Sequence, residues 1–167
     1  MKKEKEYWEY NSFEEKHEAA ALRKQQGNEL YAKGKYERAN KKYKRAVDFL
    51  EYLGSGVTDE EKAKANAIKL GCYLNMAQCQ LKLREYNKVI EHCNKALEID
   101  KRNVKAYYRR ALAYFNKVDW EAAGADFKKA LELEPDNKDV IREYNRLKQT
   151  MREQDAKDKK IFAKLFS

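Results

Sequence analysis

Two cations stand four positions apart in the segment 104–115, at Lys105 and Arg109. On a helix this spacing places both side chains on one face, one turn apart. Charge-assisted hydrogen bonds from such cations to carboxylates are strong, so the pair could bind an acidic ligand if its face lines a groove. Lysine and arginine fill 37 of 167 positions, however, and most such pairs are solvated surface. The pair becomes informative only through its place in a larger pattern.

The composition favours an all-α protein with one domain or a small array of repeats. Charged residues make up 39% of the chain, with one proline and six glycines, so helix breakers are rare. The 43% hydrophobic share indicates a folded core rather than disorder. No apolar run approaches the roughly 18 residues that a membrane span needs, and the N-terminal residues lack the apolar segment of a signal peptide. We therefore expect no membrane partner and a cytoplasmic location, with the nucleus as a second compartment.

Neither the cysteines nor the histidines form a pattern that indicates chemistry. Cys72, Cys79 and Cys93 are odd in number and lack metal-binding spacing, so we expect reduced thiols in the core. His17 and His92 lie far apart in the sequence, and neither has an orderly set of nucleophiles or metal ligands around it. Glycine-rich phosphate loops and zinc spacings are absent from the sequence. The sequence predicts no catalytic residue, no metal and no cofactor.

The chain contains an internal repeat whose copies are offset by 34 in residue number. Aligning residues 84–100 with 118–134 superposes, at that offset, Tyr86 on Trp120, Val89 on Ala123, Cys93 on Phe127 and Ala96 on Ala130. An earlier copy supplies Tyr36, Ala39, Tyr43 and Ala46 at the same internal spacings. Its offset to the next copy is 50, so an insertion lengthens this first interval by 16.

This period and these residue types resemble the tetratricopeptide-repeat family over about residues 20–137. Small residues fall in the middle of each first helix, at Gly27, Ala77 and Ala111, and Pro135 closes the third repeat. The resemblance implies an all-α fold: three helix-turn-helix repeats in a right-handed superhelical solenoid, closed by a C-terminal capping helix.

Domain boundaries follow from the repeat register. We expect a leader at 1–12, a repeat domain at 13–137, and a capping helix with a basic amphipathic tail at 138–167. Within the domain the repeats are expected at about 20–53, 70–103 and 104–137, with the insertion at about 54–69. Capping boxes at Ser12 with Glu15 and at Thr58 with Glu61 mark two helix starts. The insertion is therefore expected to lengthen the helices on both sides of a short turn.

The last helix carries one apolar stripe, formed by Val140, Ile141, Tyr144, Leu147 and Met151, whose first half should cover the open end of the solenoid. After a polar stretch, apolar residues reappear beside lysines, at Ile161, Phe162, Leu165 and Phe166. This tail is either a basic amphipathic docking segment, with calmodulin as a candidate partner, or a helix end that folds back on itself or on a neighbour.

The register also selects ligand-binding positions, because the first helix of each pair lines the concave side of such a solenoid. It selects five residues on the three first helices: Lys24 and Asn28, Asn75, and Lys105 with Arg109. These residues resemble the dicarboxylate clamp of co-chaperone repeat domains. The resemblance implies a partner, the C-terminal Glu-Glu-Val-Asp peptide of a cytosolic heat-shock chaperone, with the ninety-kilodalton class as the expected one.

The chemistry suits such a peptide. A C-terminal aspartate carries two carboxylates close together, so it needs several donors from separate helices. Lysine and arginine supply charge, and asparagine amides donate without adding repulsion. By resemblance, Lys24, Asn28 and Asn75 would hold the terminal carboxylate, and Lys105 and Arg109 the side-chain carboxylate and peptide groups.

Two further residues lie on the same helix faces, at Tyr31 and Lys82. They are weaker candidates for contacts with the upstream peptide residues. Tyr31 could equally belong to the core between helices.

Outside the repeats, three features resemble the C-terminal half of large FKBP-type immunophilins: the leader around Trp8, the long insertion, and the tail. Cyclophilins with a repeat tail share much of this layout. These immunophilins carry β-rich prolyl-isomerase domains, and nothing here reads as strands, so we expect a non-catalytic fragment of a longer protein.

The alternative function is a basic helical solenoid that binds nucleic acid or another acidic partner. The net charge of +9 is its only support. The aromatic residues fall mostly at repeat core positions rather than on an exposed stacking face, which makes nucleic acid the less favoured partner.

Overall fold

The computed structural model describes residues 5–6 and 9–167, so the predicted contribution of Trp8 lies outside the described residues. Within them the chain forms seven α-helices and no strand. The helices are α1 (Phe13–Ala32), α2 (Tyr36–Glu51), α3 (Asp59–Lys82), α4 (Tyr86–Ile99), α5 (Val104–Asn116), α6 (Trp120–Leu133) and α7 (Lys138–Leu165). None of the helices in this part of the chain has the length and apolar character to cross a bilayer. The prediction of an all-α fold is confirmed.

Both capping predictions correctly locate a helix start, but only one box is complete. At α3 the Glu61 backbone N–H donates to Thr58 Oγ1 over 3.1 Å, and the Thr58 N–H donates to Glu61 Oε2 over 3.3 Å. At α1 the Glu15 N–H donates to Ser12 Oγ over 3.2 Å. The Glu15 carboxylate accepts a hydrogen bond from the Asn11 N–H and not from the Ser12 N–H that a complete capping box would use.

The insertion lengthens mainly one helix. Helix α3 has 24 residues where α5 has 13, whereas α2 has only two more than α4. The turn between α2 and α3 contains Gly54 and Gly56, both with positive φ, which ends α2 before the capping box starts α3. Both helices beside the turn are longer than their counterparts in the later repeats, as expected, and α3 takes most of the added length.

The turn inside each helix pair has the same backbone form in all three repeats. Gly34, Arg84 and Val118 lie at equivalent positions, with φ of 73°, 58° and 63°. A left-handed conformation is unfavourable for a β-branched residue such as valine. Its recurrence at Val118 shows that the packing of the helix pair, rather than local preference, sets this turn.

Chain contacts divide the protein into two compact units, Met1–Asn103 and Val104–Ser167. In the first unit α1 packs on α2, and α3 packs on both α2 and α4. Alanines at repeat positions identified in the sequence are fully buried, at Ala39, Ala46, Ala77 and Ala96. The three cysteines are buried and reduced, as predicted.

The second unit contains α5, α6 and α7, packed around the buried side chain of Phe127. Val140 and Leu147 of α7 are buried in this cluster, and the Tyr144 ring lies 5.9 Å from that of Phe127. Ile141 is 38% exposed, so the buried stripe in the first half of α7 is narrower than predicted, whereas Met151 lies in the second half and is 40% exposed. Only the side of α7 that carries residues 140, 144 and 147 lies against the cluster.

Helix α7 continues through the polar stretch to Leu165 without a break. The apolar residues at its end are exposed by between 58% and 76%, at Ile161, Phe162, Leu165 and Phe166. The expectation that this end folds back on itself or on a neighbour is wrong. Between residues 152 and 160 only Ala156 is apolar, so these turns stay in solvent because they have no large apolar side chain to pack against a core.

Candidate peptide-binding site

In the first unit, three helices bring polar side chains to one atom, the Oδ1 of Asn28. Asn28 projects from α1, and its oxygen accepts a hydrogen bond of 2.6 Å from the hydroxyl of Tyr43 on α2. The same oxygen accepts a second hydrogen bond, of 3.2 Å, from Nδ2 of Asn75 on α3. Two of the five predicted residues are therefore in direct contact, although they lie 47 positions apart in the chain. With its oxygen occupied, Asn28 keeps its Nδ2 group as a donor for a ligand.

Lys24 lies one turn before Asn28 on α1 and crosses the backbone of α3 at Gly71. A Cβ atom placed on Gly71 would lie 2.5 Å from Lys24 Nζ and 3.0 Å from its Cε, so only glycine leaves room for this path. Burial raises the pKa of the neighbouring Cys72 to about 12, and the Lys24 charge acts in the opposite direction. The thiol therefore stays neutral at physiological pH. Within the described residues Lys24 makes no ion pair with a carboxylate, so its charge is available to a ligand.

The two weaker candidates occupy different surroundings. Tyr31 is half-buried: its hydroxyl accepts a hydrogen bond of 3.3 Å from Gln78 Nε2, and its ring packs edge-on against Tyr36. It thus lies between α1, α2 and α3, as expected of a residue in the inter-helix core. Lys82 is the exposed last residue of α3.

In the second unit, Lys105 and Arg109 lie one turn apart on α5, as their spacing predicts. Lys105 is exposed and Arg109 is half-buried. The next cation, Arg110, has a different role, because its Nε and Nη2 donate to the two carboxylate oxygens of Asp126, both over 2.7 Å. Asp126 is buried on α6, so this bidentate pair fastens α5 to α6.

Sequence reasoning missed two contributors, Tyr43 and Gly71. Tyr43 was assigned to packing alone, yet its hydroxyl contacts the predicted site. A signal existed, because the aligned core positions of the later repeats hold Cys93 and Phe127, which lack a hydroxyl. Gly71 is aligned with Lys105, one repeat period later. The alignment of the repeats therefore already showed a glycine where the next repeat has a long side chain.

A separate cleft of about 360 Å³ lies between α2, α3 and α4 and is lined by none of the predicted peptide-binding residues. Its lining includes His92, whose Nδ1 lies 2.8 Å from the Gln80 side-chain amide and whose ring stacks on Tyr73. Burial lowers the pKa of His92, and the carboxylate of Glu91 partly opposes that effect. Within residues 5–6 and 9–167, no group of three or more histidine, cysteine or acidic side chains is arranged to hold a metal ion.

Comparison with known proteins assigns the repeats to a family. The family model described as "Tetratricopeptide repeat" matches residues 72–103 and 104–137. The human peptidyl-prolyl cis-trans isomerase FKBP4 is 43% identical over 166 residues, which cover 99% of this chain and 36% of the relative. The bovine FKBP4 is 42% identical over the same shares. The chain spans about a third of the length of these curated relatives, and it aligns with their repeat region and not with the isomerase domain.

Solved structures agree with this assignment. The C-terminal TPR-containing domain of an FK506-binding protein from Plasmodium falciparum is 33% identical, with a TM-score of 0.83, over 90% of this chain and 99% of that one. The first TPR of Spaghetti (RPAP3), bound to the HSP90 peptide SRMEEVD, is 25% identical, with a TM-score of 0.67, over 81% and 94% of the chains. The second TPR domain of human RPAP3, in complex with the HSP70 peptide SGPTIEEVD, is 28% identical, with a TM-score of 0.66, over 80% and 98%. The chain therefore belongs to the tetratricopeptide-repeat family and is homologous to the C-terminal repeat region of FKBP-type immunophilins.

Proposed function

We propose that this domain is a co-chaperone adaptor that binds the C-terminal Glu-Glu-Val-Asp peptide of a cytosolic heat-shock chaperone of the ninety-kilodalton class. Binding would use a dicarboxylate clamp formed by Lys24, Asn28, Asn75, Lys105 and Arg109. The observation that carries the proposal is the hydrogen bond from Nδ2 of Asn75 to Oδ1 of Asn28, one helical turn from Lys24. A module with this partner would act in the cytoplasm.

The amide donors suit a terminal carboxylate. Because the Asn28 oxygen already accepts two hydrogen bonds, a ligand meets the Nδ2 donor of this side chain rather than its acceptor. Lys24 adds a positive charge that no carboxylate of the described residues neutralises. Hydrogen bonds to a charged group contribute about 1.5–3 kcal/mol each, so these groups together favour a carboxylate ligand over a neutral one.

The repeat register supports a role for Lys105 and Arg109 in binding the same peptide. Lys105 and Arg109 occupy the positions on α5 that Gly71 and Asn75 occupy on α3, each one repeat period earlier. In the first unit those positions lie beside Lys24 and Asn28. We infer that Lys105 and Arg109 bind the side-chain carboxylate and peptide groups of the ligand.

Two of the similar structures are complexes with chaperone peptides, and both peptides end in Glu-Glu-Val-Asp. One peptide belongs to HSP90 and the other to HSP70. This similarity therefore supports recognition of the four terminal residues and does not favour one chaperone class. Our choice of the ninety-kilodalton class is supported by a further similar structure, that of the Hsp90 co-chaperone Cns1 from Saccharomyces cerevisiae, which is 30% identical, with a TM-score of 0.78, over 89% of this chain and 44% of that one.

Calorimetry with the two peptides SRMEEVD and SGPTIEEVD, each as the free acid and as the C-terminal amide, tests the proposal. We expect the free acids to bind with an affinity that falls as salt rises, the amides to bind at least tenfold more weakly, and SRMEEVD to bind more tightly than SGPTIEEVD. Alanine at Lys105 or Arg109 should weaken binding without unfolding the domain. Alanine at Lys128, an exposed lysine on α6, serves as the matched control. Equal affinities for the acid and amide forms would refute the clamp.

A further inference from the structure

Tyr43 is a buried tyrosine whose hydroxyl faces the proposed binding site rather than solvent. Its ring packs against Gly27, where an added Cβ would lie 2.6 Å from Tyr43 Cε1, and 1% of the residue is exposed. Burial raises the pKa of Tyr43 well above the ordinary value of a tyrosine, so the phenol stays protonated and acts as a donor. That donor is directed at the Oδ1 of Asn28.

The hydroxyl and the Asn75 amide together favour one orientation of the Asn28 amide, and this orientation determines which end a ligand meets. In the observed orientation, the oxygen accepts from both Tyr43 and Asn75, and Nδ2 remains as the outward donor. A half-turn of the amide would place Nδ2 against the Nδ2 donor of Asn75, would require the Tyr43 hydroxyl to turn and accept instead of donate, and would present the oxygen to the ligand. An acceptor facing a carboxylate is unfavourable, whereas a donor is favourable. The orientation of Asn28 therefore decides whether this residue attracts or repels a carboxylate.

We propose that Tyr43 is a positioning residue for carboxylate recognition: together with Asn75, its hydroxyl holds the amide of Asn28 with the Nδ2 donor directed at the ligand. The inference rests on the proposed carboxylate clamp and adds to it a residue outside the five. It gives the hydroxyl a purpose that packing does not, since Phe127 fills the equivalent core position of the third repeat without one. The hydroxyl occurs in the one repeat that carries an asparagine at this helix position, where the later repeats have Gln78 and Leu112.

The test removes the hydroxyl and keeps the ring. Tyr43→Phe is compared with Tyr73→Phe, which deletes a second buried hydroxyl of the first unit, one that donates to Glu51 and not to Asn28. Both variants are measured by calorimetry with SRMEEVD as the free acid and as the C-terminal amide. We expect Tyr43→Phe to weaken free-acid binding about two- to tenfold and to reduce the ratio of acid to amide affinity, with both quantities unchanged in Tyr73→Phe. A purely structural role would lower both affinities together.

A double-mutant cycle separates action through Asn28 from a general effect. If Tyr43 works by orienting Asn28, Tyr43→Phe should have no effect on binding in an Asn28→Ala background. Equal losses in both backgrounds would overturn the inference and leave the clamp intact. Failure of the wild-type protein to discriminate acid from amide would instead overturn the clamp, and the inference with it.

A readout in the ligand-free protein complements the cycle. The side-chain NH2 resonances of Asn28 report whether the amide is held in one orientation. We expect these resonances to shift towards the values of a solvent-exposed asparagine side chain in Tyr43→Phe and to stay in place in Tyr73→Phe. Unchanged Asn28 resonances in Tyr43→Phe would contradict the inference without any use of a peptide.

Discussion

Replacing Gly71 by alanine should leave α3 as stable as before or stabilise it, and should weaken peptide binding in the same protein. Gly71 lies in the interior of α3, where alanine is preferred over glycine by about 0.5–1 kcal/mol. The new Cβ would lie 2.5 Å from Lys24 Nζ, against a normal contact distance of about 3.5–4.0 Å. The end of the Lys24 side chain must therefore move by about 1 Å or more, which is easy for a flexible lysine.

The expected magnitudes follow from these contacts. The free energy of unfolding should rise by up to about 1 kcal/mol, equivalent to about 2–4 °C in Tm for a chain of this length. The affinity for the free-acid peptide SRMEEVD should fall about tenfold, because Lys24 loses a charge-assisted hydrogen bond of about 1.5–3 kcal/mol in part or in full. Thermal unfolding followed by circular dichroism and calorimetry on the same preparation measure both effects.

Gly27→Ala is the matched control, since it makes the same substitution on α1. Its Cβ would lie 2.6–2.9 Å from three ring atoms of the buried Tyr43, which cannot move away as a lysine can. This variant should lose about 1–3 kcal/mol of stability through overpacking. If Gly71→Ala binds the peptide as tightly as the wild type, Lys24 does not contact the ligand along its path over α3. A loss of stability as large as that of Gly27→Ala would show that Lys24 is held rigidly there.

Four further predictions concern single groups. Asn28→Asp keeps an oxygen acceptor for Tyr43 and Asn75, so the fold should survive, but a carboxylate then faces the ligand. Calorimetry should show that peptide affinity falls about tenfold or more, and retained affinity would contradict the proposed role of the Nδ2 donor. Asp126→Ala breaks the bidentate pair with Arg110 and should lower the free energy of unfolding in urea by about 2–3 kcal/mol, while a neutral result would mean that the pair does not fasten α5 to α6. Because the pKa of His92 is lowered in the folded state, the unfolded chain binds its proton first as the pH falls, so stability should decrease below about pH 6.5. His92→Gln should flatten that decrease in urea titrations carried out from about pH 6.5 downwards, and an unchanged decrease would contradict the lowered pKa. Removal of residues 151–167 should abolish calcium-dependent capture by calmodulin and leave peptide affinity unchanged, and capture by the shortened chain would refute the tail prediction.

The repeat register predicted most of the fold because local and tertiary signals agree. The helices α1 and α3 begin directly after the predicted capping residues Ser12 and Thr58, and Pro135 lies in the break between α6 and α7. The register does not say how an insertion is shared between two helices, and α3 received most of it because its capping box begins directly after the glycine turn. The side of α7 that is buried also depends on the surface it meets, so the exposure of Ile141 was not predictable from spacing.

For the candidate site, the sequence predicted positions but not contacts. Periodicity predicted that Asn28 and Asn75 face a common groove, but their hydrogen bond depends on the distance between α1 and α3. The roles of Gly71 and the Tyr43 hydroxyl arise from the same close approach of helices, which no single-helix pattern encodes. Arg110 directly follows Arg109 in the sequence and could equally have been a ligand-binding cation. Only its ion pair with the buried Asp126 shows that it connects two helices instead.

The central proposal is that Lys24, Asn28, Asn75, Lys105 and Arg109 bind a peptide through its terminal carboxylate. Nuclear magnetic resonance titration of the isotope-labelled domain with SRMEEVD, as the free acid and as the amide, tests it most directly. The proposal predicts that the free acid shifts the side-chain amides of Asn28 and Asn75 and the backbone amides around Lys105 and Arg109, with one common Kd, and that the amide shifts them weakly. Shifts confined to one of these two groups of amides, or identical shifts with the amide peptide, would contradict it.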